Sequence, residues 1–238
     1  MVRPAARDGR RSQPDGSAPG GGGGGVMELR EALEARASCR KFRAEPVPVE
    51  DLREMVRAAG LAPSPGNTQP WRFVAVLGAE AIEPLGRAVR QRLAAALPDP
   101  ADERAARARA RAEWLATFFT EAPAVIAVVH QPRRTAFDDL LEGQRDERAE
   151  AFREIDRAQP ALQAIGAAIE NLLLAATAMR YGACWLTAPL VARAQLEDQL
   201  DIREPERLVA LVAVGRPVAL DAEHRARRPL DEIFTVRY

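Results

Sequence analysis

The stretch LAPSPGNTQPWRFVAV, residues 61–76, joins a helix-like run to a strand-like run. Within it, Pro65 presets the φ angle of the second position of a turn, and Gly66 accepts the positive φ of the third position. Residues 64–67 therefore suit a type II turn. A connector this rigid fixes the direction in which the chain enters the following strand.

The same turn predicts a ligand-binding edge. It would hold the Ser64 hydroxyl, the Asn67 amide and nearby backbone N–H groups along one concave edge, where a planar, hydrogen-bonding ligand could sit. The alternative is that the prolines and the glycine only punctuate the transition and that Trp71 fills the core.

Hydrophobic periodicity on both sides of the turn predicts a mixture of helices and strands. The predicted helices cover residues 27–37, 47–60, 82–93, 99–121, 160–180 and 190–200, and the predicted strands 72–77, 122–129, 183–188 and 207–215. Strict βαβ alternation is absent, and no glycine-rich fingerprint follows a strand. The pattern favours an α+β fold with a mixed β-sheet wrapped by helices, and an irregular, charged lid or excursion over residues 130–158.

Composition bounds the class of protein. The chain has 238 residues, of which 47% are hydrophobic, enough for one core. Its 34 basic and 34 acidic residues give no support to a nucleic-acid partner. Cys39 and Cys184 lack the spacing of a disulfide framework or a metal site. No apolar run is long enough to span a bilayer, so a cytoplasmic protein without a membrane partner is expected.

The chain divides into a tail and a domain. Residues 1–25 are rich in Gly, Pro and Arg with almost nothing to bury, which predicts disorder, and they lack the apolar core of a secretory signal. A misassigned upstream start is an alternative, because the periodic sequence begins at Met27. Residues 26–238 are expected to form a single domain.

A second segment, RASCRKFRAEPVP, is typical of an anion site. Arg36, Ser38 and Arg40 alternate, so in an extended segment their side chains face the same way. Two guanidinium forks and a hydroxyl suit a phosphate, since planar Arg donors match phosphate oxygens bidentately. A solvated basic edge is the alternative.

In this order and spacing, the two segments resemble the nitroreductase family of FMN flavoproteins. The family's Arg-x-Ser-x-Arg-x-Phe element and Pro-Val-Pro helix start stand here at residues 36–42 and 46–48. Its Pro-Ser-x-x-Asn-x-Gln-Pro-Trp turn stands at residues 63–71. The resemblance continues through residues 165–190 and VAVGRP, whereas residues 78–158 contribute little.

The resemblance implies a nitroreductase-like FMN-binding fold in an interlocked homodimer, with FMN at the interface. The phosphate and ribityl end of FMN would be held by Arg36, Ser38 and Arg40. The isoalloxazine ring would be edged by Pro63, Ser64, Gly66, Asn67 and Gln69. A loop near the reactive face would comprise Thr187, Ala188, Pro189 and Leu190. A late basic pair is placed at Arg225 and Arg227, with Arg228 as an alternative.

The implied activity is ping-pong electron transfer from NADH or NADPH, through FMN N5, to a nitroaromatic, quinone or enone acceptor. The chain need supply no acid or nucleophile, because the flavin carries the chemistry. Arg40 is the candidate to stabilise the reduced flavin. Cys184 is expected to be a small core thiol.

Other functions remain open. Within the same fold, the chain could be a specialised flavin enzyme of dimethylbenzimidazole synthase, dehalogenase or dehydrogenase type. It could bind flavin without turnover, as a store or a sensor. From a different class, residues 99–121 could form a helical partner surface on a colourless interaction protein.

Removal of residues 1–25 is expected to change neither the fold nor the flavin content, because the tail has almost no apolar side chains to contribute to a core. Far-ultraviolet circular dichroism and the flavin-to-protein absorbance ratio of the truncated protein check this. A lost dimer or lost yellow colour would contradict the division into tail and domain.

Overall fold

The computed structural model describes residues 27–142, 147–219 and 226–237. Its helices are α1 Leu29–Ala35, α2 Val49–Gly60, α3 Ala79–Ala96, α4 Glu103–Thr117, α5 Ala136–Leu141, α6 Glu147–Arg157, α7 Pro160–Ala178 and α8 Arg193–Gln199. Its strands are β1 Trp71–Leu77, β2 Ala124–His130, β3 Gly182–Leu186 and β4 Arg207–Gly215. Short 3₁₀ helices occupy Pro65–Asn67, Phe118–Glu121, Ala188–Ala192 and Leu230–Glu232. Residues 1–25 and Arg225 lie outside the described residues.

The strands form one sheet in the order β1-β2-β4-β3. Each of the three strand pairs is antiparallel, with Trp71 opposite His130 at one end of β1 and Leu186 opposite Leu211 in the β3–β4 pair. The α+β class is confirmed, but the expected mixed sheet is wrong for these strands. Within the described ranges, the parallel pairing is an isolated bridge between Ser38 and Ala183.

Helices cover both faces of the sheet. On one face, α2 and α7 pack on side chains such as Ile126 and Val212. On the other face, α3, α8 and the Phe118–Glu121 turn pack on side chains such as Val125 and Leu211. The central strands β2 and β4 are therefore apolar on both faces, which explains their nearly continuous apolar sequence.

The long apolar helix is confirmed at Pro160–Ala178. Together with α6 it gives a stretch, Arg153–Ala178, that is long and apolar enough to cross a membrane by length and composition only. Its residues such as Ile165, Ile169 and Leu172 are buried against the sheet and α2. One stripe is less covered than expected, since Leu162 is exposed.

Two predicted segments differ from the structure. Residues 99–121 form a shorter helix, Glu103–Thr117, which starts at the Asp102 cap and ends where the chain tightens into the 3₁₀ turn holding the buried Phe119. The region 130–158 is largely helical rather than irregular, with α5 and α6. Among its described residues none belongs to either core cluster, so it is an excursion from the body of the fold.

The close approach of residues 38–39 to β3 depends on Gly182. The Cys39 N–H donates to the Ala183 carbonyl at 3.0 Å. A Cβ atom on Gly182 would lie 2.5 Å from the Cys39 Sγ atom, closer than any ordinary contact. The absence of a side chain at Gly182 therefore lets this segment lie against the edge strand.

Gly182→Ala is expected to destabilise the protein by about 1–3 kcal/mol, because the added methyl overpacks the contact with Cys39. Gly166→Ala is the matched control. A Cβ atom there would meet the Trp185 ring at an ordinary 3.6 Å, in the middle of α7. This substitution should instead stabilise by about 0.5–1 kcal/mol. Urea unfolding of both variants measures the difference, and equal midpoints would contradict the close approach.

Candidate functional site

The segment predicted to bind phosphate, residues 36–40, is called the phosphate segment here and lies along β3. The backbone N–H of Arg36 caps α1 by donating to Ala32 at 2.9 Å. Only 19% of the Arg36 side chain is exposed, and its Nε atom lies 3.5 Å from a carboxylate oxygen of Glu170 on α7. Ser38 is exposed where it bridges to Ala183. The segment thus presents a hydroxyl beside a held guanidinium.

Arg40 is the second cation of this segment. Its side chain is half-buried, and its Nη1 atom donates to the Ser38 carbonyl at 3.3 Å. Its guanidinium carbon lies 6.0 Å from the centre of the buried Phe118 ring, the outer limit of a cation–π contact. Among the described residues, the partners of Arg40 are therefore neutral, and its charge is available to an anion.

The two cysteines near this segment are poor nucleophiles. Burial raises the pKa of the Cys184 thiol, although the charges of Arg40 and Arg36 act in the opposite direction. Burial also raises the pKa of Cys39, although a backbone hydrogen bond at Lys41 and the charge of Arg40 act in the opposite direction. Both groups stay thiols at neutral pH, which agrees with the interpretation of Cys184 as a small core residue.

The turn before β1 has the expected positive φ angle, 56°, at Gly66. The Asn67 N–H closes it by donating to the Ser64 carbonyl at 3.0 Å. The Ser64 hydroxyl accepts from the Gln69 N–H at 2.9 Å, so it is engaged within the turn. Positive φ angles continue at Asn67 and Gln69, and the turn itself forms a short 3₁₀ helix.

The turn leaves several groups available. Pro63 and Gly66 are exposed, as are the side-chain amides of Asn67 and Gln69, which lie 3.3 Å apart as donor and acceptor. Trp71, which follows, is buried in the core as its alternative interpretation required. The amides could therefore recognise a planar ligand while Trp71 anchors the turn.

The predicted loop directly follows β3. Thr187 and Ala188 are exposed, Pro189 is buried, and the Leu190 N–H donates back to Thr187 at 3.0 Å. Of the late arginines, Arg227 and Arg228 are exposed, and Arg225 lies outside the described residues. The structure places the loop beside β3 but gives no preference between the late arginines.

The predicted residues do not all meet in one chain. Residues 36–40 and 187–190 flank β3, whereas the turn precedes β1 at the opposite edge of the sheet. With β2 and β4 between them, these edges are roughly 14 Å apart at ordinary strand spacing. The start of β1 and the end of β3 do lie at the same end of the antiparallel sheet.

The phosphate segment lines a cavity of about 550 Å³. Its polar walls include Ser38, Arg40, Lys41 and Arg180. The exposed Lys41 carries the one lysine ammonium of the sequence. Cationic donors and a hydroxyl at one edge fit a compact phosphate dianion with a polyol attached.

Tyr181, which lines this cavity, belongs to a polar cluster. The Tyr181 hydroxyl donates to Asp51 on α2 at 2.5 Å, and the Arg216 guanidinium stacks 3.8 Å from the centre of the Tyr181 ring. Burial and Asp51 raise the pKa of Tyr181 to about 12. Arg216 also donates to the Met179 carbonyl at 2.9 Å. The cluster ties the end of α7 to β3 and β4.

A second cavity, of about 670 Å³, lies at the end of the sheet next to the turn. The turn contributes Pro65 and Thr68, and the strand ends contribute His130 and Arg207. Burial lowers the pKa of His130, so the imidazole is neutral at pH 7. Sequence reasoning missed this cavity, because its walls come from segments far apart in the chain.

The family is established by comparison with known proteins. A sequence model of the nitroreductase family matches residues 33–216. This chain therefore belongs to the nitroreductase family. The 5,6-dimethylbenzimidazole synthase of Rhodospirillum rubrum is 30% identical over 210 residues, covering 86% of this chain and 88% of the relative. The iodotyrosine deiodinase of Nematostella vectensis is 26% identical over 225 residues, covering 88% and 75%.

Solved structures share the fold. A BluB-like flavoprotein from Clostridium difficile superposes with a TM-score of 0.77 and 29% identity, over 89% of this chain and 100% of that chain. A nitroreductase with bound FMN from Bacteroides fragilis has a TM-score of 0.60 and 22% identity, over 89% and 99%. The arrangement of helices and antiparallel sheet is thus the nitroreductase fold.

Gly66→Ala is expected to cost about 1–2 kcal/mol of stability, because a side chain strains the left-handed backbone there. Gly66→Asn is the matched control and should cost less, since asparagine tolerates this conformation. Neither substitution creates a clash, as the nearest atom to a new Cβ lies 4.0 Å away. Urea midpoints separate the two effects, and equal losses for both variants would contradict a purely conformational cause.

Proposed function

We propose that this chain is an FMN-dependent oxidoreductase that transfers electrons from NADH or NADPH to an electron-poor acceptor of nitroaromatic, quinone or enone type. The observation that carries the proposal is that Ser38 and Arg40 line one cavity beside the edge strand β3, with Arg36 next to Glu170 at the start of the same segment. Membership of the nitroreductase family and similarity to a flavoprotein structure support it.

The residues of the chain fit FMN in distinct ways. Arg36 and Arg40 supply forked donors for the phosphate, and Ser38 supplies a hydroxyl. A late arginine, Arg225, Arg227 or Arg228, would complete the phosphate end. The exposed amides of Asn67 and Gln69 suit the hydrogen-bonding edge of the ring. The loop 187–190 offers backbone groups next to β3.

When bound, FMN supplies the redox chemistry, accepting and passing on electrons at its N5. The chain contributes charge, orientation and shielding. The guanidinium of Arg40, with neutral partners in the described structure, stabilises negative charge that develops nearby. Neither cysteine acts as a nucleophile, because burial raises both thiol pKa values.

A homodimer would complete the site. One chain holds the phosphate segment and the turn at opposite edges of its sheet, so a second copy could bring a turn to each phosphate segment. The exposed apolar side chains of the single chain include Leu33, Trp185, Ile233 and Phe234, each more than 40% exposed. Such surface is typical of an interface that a partner covers.

The purified protein is expected to be yellow and to be bleached anaerobically by NADH or NADPH. The donor that bleaches it faster is the preferred one. Arg36→Ala combined with Arg40→Ala should weaken FMN binding by about 100-fold or more, because two charge-assisted contacts are lost. Fluorescence titration of the apoprotein with FMN measures this.

Arg30→Ala is the control, since Arg30 is exposed on α1 and paired only with Glu34 among the described residues. It should leave FMN affinity unchanged. Unaltered affinity in the double variant would falsify the assignment of the phosphate end. A colourless protein that cannot be reconstituted with FMN would count against the whole function, and a yellow protein that no donor bleaches would favour a non-catalytic flavin carrier.

A specialised activity is the second candidate. The similarity to a 5,6-dimethylbenzimidazole synthase and to a BluB-like flavoprotein favours it, and the similarity to an iodotyrosine deiodinase extends it to dehalogenation. Chromatography for 5,6-dimethylbenzimidazole and assay of iodide release from iodotyrosine distinguish these activities from a general reductase.

A further inference from the structure

The cavity at the end of the sheet carries an unusual concentration of arginine. Its walls include Arg133 after β2, Arg193 at the start of α8 and Arg207 at the start of β4. The turn that would edge the flavin forms another wall through Pro65 and Thr68. A molecule in this cavity would therefore touch the turn and the arginines at once.

Arg193 is the member whose donors are least satisfied. Its Nε atom is buried and has no hydrogen-bond partner in the described structure. A buried donor without a partner is rare in folded proteins and calls for a ligand or an ordered water. Arg193 is the first residue of α8, which the loop 187–190 enters directly through a 3₁₀ helix.

The other charges around the cavity are largely engaged. Arg207 lies 3.3 Å from Glu197, and Arg133 donates to Gln131 at 3.2 Å. Of the two carboxylates on the walls, Asp138 is bonded to Thr135 in the cap of α5. Asp156 is exposed at the end of α6. Arg193 differs from the other arginines of these walls because its buried Nε donor has no partner among the described residues.

We propose that Arg193 binds an anionic group, carboxylate or phosphate, on the small molecule that exchanges electrons with the flavin. This rests on the proposed function and gives its substrate class. Arginine presents a planar fork that matches both anions. The anion held by Arg193 would orient the rest of the molecule toward the turn. His130, neutral at pH 7, leaves the arginines as the cations of this site.

The anion has two sources, the acceptor and the electron donor. 4-Nitrobenzoate and 4-nitrobenzamide are acceptors of similar shape that differ in charge. NADPH and NADH differ by one phosphate. Stopped-flow measurement of the two half-reactions of the holoenzyme separates these sources, since each half-reaction involves one of the two molecules.

Arg193→Gln is expected to weaken binding of the anionic member of one pair by about 10-fold to 100-fold, with a change of less than about threefold for its neutral or phosphate-lacking counterpart. Arg193→Lys should recover part of the loss, because it restores the charge without the fork. A loss confined to 4-nitrobenzoate places the anion on the acceptor. A loss confined to NADPH places it on the donor.

The control is Arg203→Gln. Arg203 follows α8, is exposed, and pairs with Asp198 and Asp201. This substitution should alter neither the ratio of 4-nitrobenzoate to 4-nitrobenzamide binding nor the ratio of NADPH to NADH binding. If Arg193→Gln changes both members of each pair equally, or changes none, the assignment of Arg193 is overturned. Because each ratio is measured within one variant, a partial loss of folded protein cancels.

Failure of the proposed function gives a different result, since wild-type protein would then show no bleaching by either donor. In that case, calorimetric titration of the purified protein with 4-nitrobenzoate and 4-nitrobenzamide still tests Arg193 without turnover. Preferential binding of the carboxylate that Arg193→Gln abolishes supports the anion site. Equal binding of the two compounds overturns it.

Discussion

One backbone contact positions the candidate site residues next to it: the bond from the Cys39 N–H to the Ala183 carbonyl at the edge strand. It forms because Gly182 leaves room for the approaching chain. Since the paired segment runs parallel to β3, Ser38 and Arg40 are ordered along the sheet edge instead of lying on a free loop. The polar cluster around Tyr181 also anchors this edge, because Tyr181 directly precedes β3 and contacts Asp51 and Arg216.

The two edges of the antiparallel sheet carry different polar groups. The segment beside β3 carries Ser38, Arg40 and Lys41 on a cavity wall, and β1 follows a turn that exposes the amides of Asn67 and Gln69. Between them, the end of β2 and the start of β4 line a cavity that Arg193 also lines, with its Nε atom buried. Apolar helices on both faces make this platform rigid, because β2 and β4 have no exposed face.

Much of this fold was predictable from local sequence. Strong apolar periodicity predicts α2, α7, β2 and β4. The turn at Gly66 was predictable because glycine accepts the positive φ angle that the turn requires. The excursion was predicted, but its helices were missed because α5 has only six residues and α6 is largely charged, although Thr135 and Asp138 form a capping box that could have indicated α5.

The relations between segments were harder to predict. Strand direction and the separation of the two edges arise from pairing between distant residues, which no local pattern records. The mixed sheet was wrong for that reason. Arg193 stands in an ordinary helix start, and its environment exists only once the turn, the strand ends and the excursion come together. The spacing of residues within each motif predicted its local structure. It did not predict how the motifs come together in the fold.

The single lysine has a practical consequence. Lys41 is exposed, lines the cavity with Ser38 and Arg40, and accepts the Val218 N–H through its carbonyl at 3.2 Å. The α-amino group apart, amine-reactive reagents have one target in this protein. A dye or surface attached by that chemistry would sit beside the phosphate segment, so immobilisation through amines would obstruct it, whereas a fluorophore on Lys41 would report its occupancy.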